Sequence, residues 1–169
     1  MPKLTLQWVK RLGRESSLGE VLQGISLKWT RWTKNLRAFT PGSVNADMKV
    51  KIFTAKKPSD IFYYPDVMVT CDPQDTEKYY KTAPCLIIEV LSPSTEDIDR
   101  REKRLNYQSL PSLQEHVLVY QTEMKVEVYR LNDEGYWLKK LLGKDDILEL
   151  SSVGLTLTMA DIYDEVIAF

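Results

Sequence analysis

The segment CLIIEVL, residues 85–91, constrains the fold of this 169-residue chain more than any other. Six of its seven residues are apolar, which is typical of a strand covered on both faces in the middle of a sheet. Glu89 is the exception, because an ionised carboxylate in such surroundings is costly unless it is paired or binds a metal. We therefore expect a central strand that carries a functional carboxylate, with a paired core charge as the alternative.

A second carboxylate, Asp66, opens the strand predicted at residues 66–71. It follows Pro65, which is tolerated there because its missing N–H falls at the strand edge. If this strand neighbours the one with Glu89, both carboxylates can point to one side at one end of the sheet. Two such oxygen donors suit Mg²⁺ or Mn²⁺. Taken singly, Asp66 is more simply a group that caps the start of its strand.

The helix predicted over residues 94–109 carries two polar stripes. One stripe, at spacings i, i+4 and i+8 on one face, consists of Asp99, Lys103 and Tyr107. The adjacent stripe consists of Arg100 and Arg104. The lysine could stabilise charge that develops on water or phosphate, and the arginines could hold phosphate oxygens. The alternative for Asp99 and Lys103 is an ordinary ion pair on a helix surface.

The remaining patterns predict an α/β fold with a mixed central sheet flanked by helices. A first helix is expected over residues 17–39, ended by Pro41-Gly42. Alternating residues predict a strand over 45–53 with one solvent-exposed face. Further strands are predicted at 117–121, 124–131 and 136–142, then a short strand at Leu155 and Leu157 and a helix at 159–166. We expect one domain over residues 1–169.

The few cysteines and the lone histidine limit the chemistry. With only Cys71, Cys85 and His116, a structural zinc site is close to excluded, and a histidine-based hydrolase would depend on His116 alone. We interpret the cysteines as small buried apolar groups and His116 as structural. The sequence shows neither a secretory leader nor an apolar run of about 18 residues, so we expect a cytoplasmic protein without a membrane partner.

Charge is distributed unevenly along the chain. The net charge is −1, but the first 57 residues hold 12 of the 23 Lys and Arg and only 3 of the 24 Asp and Glu. This asymmetry indicates a basic face that could bind a polyanion, with Lys49 and Lys51 on it. The alternative is that these side chains only solvate a helix and a hairpin.

Three segments resemble the Uma2 family of restriction endonucleases. They are YPDVMV at residues 64–69, PCLIIEVLSPST at 84–95, and DRREK at 99–103 followed by Tyr107. SLQEHVLV at residues 112–119 also matches that family's pattern, and the resemblance covers roughly residues 45–166. It implies a restriction-endonuclease-like fold and a PD-(D/E)XK site with Asp66 and Glu89 as metal ligands. Leu91 stands where the usual motif has lysine, and Lys103 matches the lysine of this family.

The resemblance implies a Mg²⁺-dependent (or Mn²⁺-dependent) DNA endonuclease that acts as a homodimer and needs no organic cofactor. Glu20 could supply the additional acid that such nucleases carry on their first helix, although surface solvation is the simpler interpretation. Residues 1–44 are atypical, because they lack the family's acidic hairpin and its histidine at the first helix. The alternative function is therefore a non-catalytic nucleic-acid-binding or structural domain that retains the nuclease fold.

Overall fold

The computed structural model describes residues 43–45, 48–53, 60–91 and 98–163, with backbone alone for 43–45 and 98–100. The helix predicted over residues 17–39, with Glu20, lies outside the described residues. So does the start of the helix predicted over residues 94–109. None of the helices in the described ranges is long and apolar enough to cross a membrane.

Eleven strands form three sheets among the described residues. In chain order they are β1 (Ser43–Asn45), β2 (Lys49–Ile52), β3 (Ile61–Tyr63), β4 (Val67–Thr70), β5 (Tyr80–Lys81), β6 (Pro84–Leu91), β7 (Glu115–Tyr120), β8 (Val126–Leu131), β9 (Trp137–Leu142), β10 (Ile147–Leu150) and β11 (Leu155–Thr158). The central sheet has the order β1-β4-β6-β7-β8-β9, a small sheet has the order β3-β2-β5, and β10 pairs with β11.

The central sheet is mixed, as predicted. Strands β6 and β7 are parallel, whereas β1, β4, β8 and β9 pair with their neighbours antiparallel. Every residue of β6 is buried except Val90, which is half-buried. The continuous apolar run therefore does form an interior strand, because layers of structure cover both of its faces.

One face of the central sheet packs against β10, β11 and the helix α3 (Met159–Tyr163). The side chains of this core include Val67, Leu86, Ile88, Val117, Leu148 and Ile162. The opposite face packs against the small sheet and against a helical segment. That segment begins as the π-helical α1 (Ile98–Lys103) and continues directly as α2 (Arg104–Tyr107). The core between this face, the small sheet and the helical segment includes Val50, Ile52, Met68, Ile87, Tyr107 and Leu113. Helices thus flank the sheet on both faces.

The strand predicted over residues 45–53 is two strands in different sheets. β1 pairs with β4 in the central sheet, whereas β2 pairs with β3 and β5 in the small sheet. The alternation within β2 is as predicted, with Val50 and Ile52 buried and both lysines half-buried. The sequence did not indicate β3, β5 or β10, which have only two to four residues each. Strands this short give too few residues for a period to be recognised.

Cys71 and Cys85 form a disulfide, so the interpretation of both as small buried apolar groups was wrong. Cys85 is buried on β6, but Cys71 is exposed just after β4. The two strands are antiparallel neighbours, with a shift in register between Val69 and Thr70. Their pairing brings the cysteine Cα atoms to 5.7 Å, within the usual range for a disulfide. The predicted strands 66–71 and 85–91 end and begin at the two cysteines, but the pairing of the cysteines depends on the strand register, which the sequence does not reveal.

Reduction of this disulfide is expected to lower the free energy of unfolding by about 3 kcal/mol. The bond joins residues 14 apart, and opening a loop of that size returns conformational entropy to the unfolded chain. Urea unfolding with and without reductant measures the difference, and the Cys71→Ser variant should respond to reductant no further. Two freely alkylated thiols in the unreduced, denatured chain would contradict the bond.

Candidate functional site

Glu89 is a buried carboxylate near the end of β6, an interior strand of the central sheet. The residue, on β6, is 2% exposed, and its side chain lies on the face covered by α1 and α2. The hydroxyl of Tyr107 donates a hydrogen bond to Glu89 Oε1 at 2.7 Å, and Lys103 Nζ donates to the same oxygen at 3.3 Å. The ammonium group balances the buried negative charge, which would otherwise be costly.

Asp66 lies at the start of β4, next to Glu89. Val67 on β4 pairs with Ile88 on β6, and Asp66 is the residue just before this paired register. Continued by one step, the antiparallel register would set Asp66 opposite Glu89. Residues directly opposite each other share one face of a sheet. Asp66 Oδ2 accepts a hydrogen bond of 2.7 Å from the backbone N–H of Val90, which ties the carboxylate to the neighbouring strand. Asp66 is exposed, so the two acids lie where the sheet interior meets solvent.

Packing and hydrogen bonds hold α1 and α2 over this face. Tyr107 is fully buried in the core beneath the small sheet, and its ring meets that of Tyr63 edge-to-face at 5.5 Å. The Tyr63 hydroxyl donates to Glu102 Oε1 at 2.8 Å and accepts from Asn106 Nδ2 at 2.7 Å. Burial and the bond to Glu102 raise the pKa of Tyr63. β3 thereby fixes the segment that presents Lys103 and Tyr107 to Glu89.

The structure brings together some of the residues singled out in the sequence. Glu89, Lys103 and Tyr107 are in direct contact, and Asp66 is tied to the residue after Glu89. Arg104 is half-buried with its guanidinium carbon 5.1 Å from the centre of the Tyr129 ring. The other candidates fall elsewhere: Lys49 and Lys51 are on β2, the side chains of Asp99 and Arg100 are not described, and Glu20 is outside the described residues.

His116 lies within β7, not before it, and is fully buried. Its ring meets Tyr107 edge-to-face at 5.3 Å and stacks on Tyr129 at 6.1 Å, and neither ring nitrogen has a hydrogen-bond partner. Burial, together with the positive charges of Arg104 and Lys103, lowers the pKa of His116 to about 3. The ring is therefore neutral at pH 7 and shielded from substrate, so it acts as a packing residue.

Sequence reasoning singled out neither of two further buried carboxylates. Glu127 accepts hydrogen bonds from the hydroxyls of Tyr120 at 2.8 Å and Tyr129 at 2.6 Å, and pairs with Lys139 at 3.0 Å. Burial alone would raise the pKa of Glu127, but these bonds outweigh it and lower the pKa to about 2. Glu115 is paired with Arg130 at 2.7 Å. Tyr129 is two residues from Glu127 on β8, whereas Tyr120 comes from β7, so only the strand register reveals that both tyrosines meet this carboxylate.

The donor set at Asp66 and Glu89 fits a hard divalent cation. Within the described ranges there is no group of three or more His, Cys, Asp or Glu that could hold a metal ion. Mg²⁺, however, is commonly bound by one or two carboxylates, with water and substrate phosphate completing its ligands. Two carboxylates at a solvent boundary meet that requirement, and they would not suffice for a closed structural site.

Comparison with known proteins identifies a family and relatives. The model of the Uma2 family, described as a putative restriction endonuclease, matches residues 9–160. The uncharacterized protein slr1290 of the cyanobacterium Synechocystis is 42% identical over 120 residues, which cover 70% of this chain and 61% of that protein. The uncharacterized protein sll1609 of the same organism is 33% identical over 144 residues, covering 79% of this chain and 81% of that protein. The chain thus spans about three fifths of slr1290.

A solved structure shares the fold. The crystal structure of a putative nuclease belonging to DUF820, from Anabaena variabilis, superposes with a TM-score of 0.67 and 15% sequence identity. The match covers 85% of this chain and 82% of that one. The restriction-endonuclease-like α/β fold expected from the sequence is thereby confirmed.

The buried histidine should make the protein less stable in mild acid. Its folded pKa of about 3 lies below the ordinary value of 6.5. Between these two values the unfolded chain binds a proton that the folded chain excludes, so the free energy of unfolding falls as the pH drops below 6.5. At about pH 5 this loss is about 2 kcal/mol. Urea unfolding of wild type and His116→Phe between pH 5 and 7.5 measures it.

The pH range isolates this one group. His116 is the sole histidine of the sequence, and the contribution of Glu127 is lost only as the pH falls from about 4.5 towards 2. The variant keeps the stacked ring but cannot be protonated, so its stability should change little over this range. An equal slope in both proteins would contradict the buried, neutral histidine.

Proposed function

Because the chain belongs to the Uma2 family, we propose that it is a Mg²⁺- or Mn²⁺-dependent endonuclease that hydrolyses phosphodiester bonds of DNA. The proposed catalytic residues are Asp66, Glu89 and Lys103, with the two carboxylates as metal ligands. One observation carries the proposal. The buried Glu89 accepts hydrogen bonds from Lys103 and Tyr107, and the exposed Asp66 is bonded to Val90, the next residue of the same strand.

Asp66 and Glu89 are held in different ways that suit this role. The backbone N–H of Val90 fixes Asp66, and the hydroxyl of Tyr107 fixes Glu89, so neither carboxylate has to be ordered when substrate arrives. The bound cation would supply positive charge for a phosphate oxygen and would lower the pKa of the attacking water. Tyr107 acts as a positioning residue, because its contact is with Glu89.

Lys103 brings the only ammonium group that a described contact places on Glu89. Its side chain is 18% exposed, so it reaches from the buried carboxylate towards solvent. In the proposed reaction, the ammonium group donates hydrogen bonds to the attacking water or to the phosphate oxygens, where negative charge grows in the transition state. Lys103 would thus do from the helical segment what the usual motif does with a lysine on the strand, at the position of Leu91.

The other proposed contacts with DNA are electrostatic. Lys49, Lys51, Arg100 and Arg104 would bind backbone phosphates, and Glu20 and Asp99 would be supporting acids. Phosphate contacts of this kind give affinity without sequence specificity. The proposal includes a homodimer, since cleavage of both strands usually needs two sites, and a cytoplasmic location where DNA is present.

A non-catalytic nucleic-acid-binding domain is the second candidate. It is favoured by the small number of converging acids, since the described residues include no group of three or more His, Cys, Asp or Glu that could hold a metal ion. Glu89 is also paired with Lys103 and could serve as a core charge. The two functions differ in one measurable property, which is turnover.

Plasmid nicking in the presence of Mg²⁺ tests the proposal. Wild type should nick supercoiled DNA, and a chelator should abolish the activity until Mg²⁺ is restored. Asp66→Asn and Glu89→Gln should remove cleavage, because each loses a negative charge from the metal site. Lys103→Met should slow cleavage by about 100-fold, since one donor to the transition state is lost.

Two exposed residues provide matched controls. Asp145→Asn and Lys140→Met change the same charges on the surface away from the proposed site and should leave cleavage at the wild-type rate. Thermal unfolding of each variant checks that it is folded. Folded Asp66→Asn and Glu89→Gln proteins that still nick DNA at the wild-type rate would rule out the site. DNA binding without metal-dependent cleavage in wild type would favour the second candidate.

A further inference from the structure

The outer face of the small sheet carries lysines and exposed aromatic rings. We call this surface the aromatic platform, and its members are Lys49, Lys51, Phe53, Phe62, Tyr64 and Tyr80. The ring-bearing residues Phe53, Phe62 and Tyr64 are 65%, 43% and 51% exposed. Single exposed apolar residues are ordinary, but a cluster of large ones on one face marks a binding surface.

The strand register places these side chains on one face. In the small sheet, Val50 pairs with Tyr63 and Lys51 with Phe62, so the buried and the outward positions alternate in step on both strands. One further step along this register sets Lys49 opposite Tyr64. Lys49 also pairs with Tyr80 on the parallel strand β5. Aromatic and basic residues are thus interleaved across three neighbouring strands.

Contacts within the platform hold the rings in place. Phe62 and Tyr80 meet edge-to-face at 5.8 Å. The ammonium group of Lys49 lies 5.5 Å from the centre of the Tyr64 ring, and that of Lys51 lies 4.8 Å from the Phe53 ring. Side chains fixed in this way lose less conformational entropy when a ligand binds.

The platform offers positive charge at Lys49 and Lys51, and acids act on only one of these lysines among the described residues. Asp60 pairs with Lys51 at 2.8 Å, and this hydrogen bond is the largest cause that raises the pKa of Lys51. Lys51 therefore stays charged, with the field of Glu77 acting on it as well as Asp60. Lys49 forms no ion pair among the described residues, so its charge is available to a ligand. A ligand that complements the surface must offer both flat apolar groups and negative charge.

We propose that the aromatic platform binds single-stranded DNA, with bases stacked on Phe53, Phe62 and Tyr64 and phosphates near Lys49 and Lys51. Unpaired bases present flat faces to a protein, whereas the bases of a duplex stack on each other and show only their edges. Aromatic side chains combined with a basic surface are the typical means of binding single strands. This inference rests on the proposed function and deepens it by naming the substrate class.

The platform also adjoins the candidate site along the chain. Tyr64 is two residues before Asp66. Its neighbour Tyr63, the last residue of β3, forms hydrogen bonds with Glu102 and Asn106 on either side of Lys103. A strand bound across the platform would therefore be held close to the two carboxylates. This arrangement would favour substrates with unpaired segments, such as displaced strands or ends.

Fluorescence anisotropy in the presence of a chelator tests the inference without any cleavage. The probe is a labelled oligothymidylate of about 16 nucleotides, compared with a duplex of equal length. Wild type should bind the single strand about tenfold more tightly than the duplex, and Phe62→Ala should weaken single-strand binding about tenfold. Phe62→Tyr keeps the ring and should bind as wild type does.

Tyr136→Ala is the matched control, because Tyr136 is a 66% exposed ring in the turn between β8 and β9. It should bind the single strand as wild type does. The inference is overturned if Phe62→Ala binds the single-stranded DNA as tightly as wild type does. It is also overturned if wild type prefers the duplex, or a single-stranded RNA of equal length, over the single-stranded DNA. A third contradicting result is that Phe62→Ala abolishes self-association of the chain and leaves DNA binding unchanged. If wild type binds single-stranded DNA but cleaves no DNA with Mg²⁺, the result counts against the proposed function and not against this inference.

Discussion

The burial of the Glu89 carboxylate is the interaction on which the rest of this structure depends. A charge in the middle of a covered strand is stable only with a partner, and here the partners are Lys103 and Tyr107. Both come from the segment over the sheet face, so that segment has to stay where it is for the core to remain neutral. Removal of either partner would leave the carboxylate incompletely paired, at a cost of several kcal/mol by general experience with buried ion pairs. The contacts that would orient the proposed catalytic group are therefore the same contacts that hold the helical segment against the sheet.

Burial alone does not identify a functional carboxylate in this chain. Glu115 and Glu127 are each 1% exposed, and both are surrounded by donors that neutralise them. Glu89 differs in its place near the end of β6, where the exposed Asp66 accepts a hydrogen bond from Val90, the next residue of that strand. In the proposed function, a cation would bind these two carboxylates at the boundary between the core and solvent. The contrast shows why the geometry of neighbouring strands matters more for function than the cost of burying any one charge.

The sequence predicted the parts of this arrangement that depend on local spacing. The apolar run predicted the central strand, and the single acid within that run, Glu89, predicted a buried carboxylate. The interval of four residues between Lys103 and Tyr107 predicted that both lie on one side of a helix. The parts that depend on register between distant segments could not be predicted. These include the Cys71–Cys85 bond, the small sheet that carries the aromatic platform, and the tyrosines around Glu127. The π-helical geometry of α1 is likewise not visible in the sequence, because the same periodic pattern suits an α-helix.

Isothermal titration calorimetry with Mn²⁺ can detect a metal site at Asp66 and Glu89 without DNA or turnover, because it reports metal uptake alone. The titration compares wild type with Glu89→Gln, whose side chain has the same shape and can still accept the bond from Tyr107. Glu123→Gln provides the control, since Glu123 is exposed and pairs only with Lys125 among the described contacts. The account predicts saturable binding to wild type and to Glu123→Gln, and none to a folded Glu89→Gln. Equal binding to all three proteins, or no binding to wild type, would contradict it.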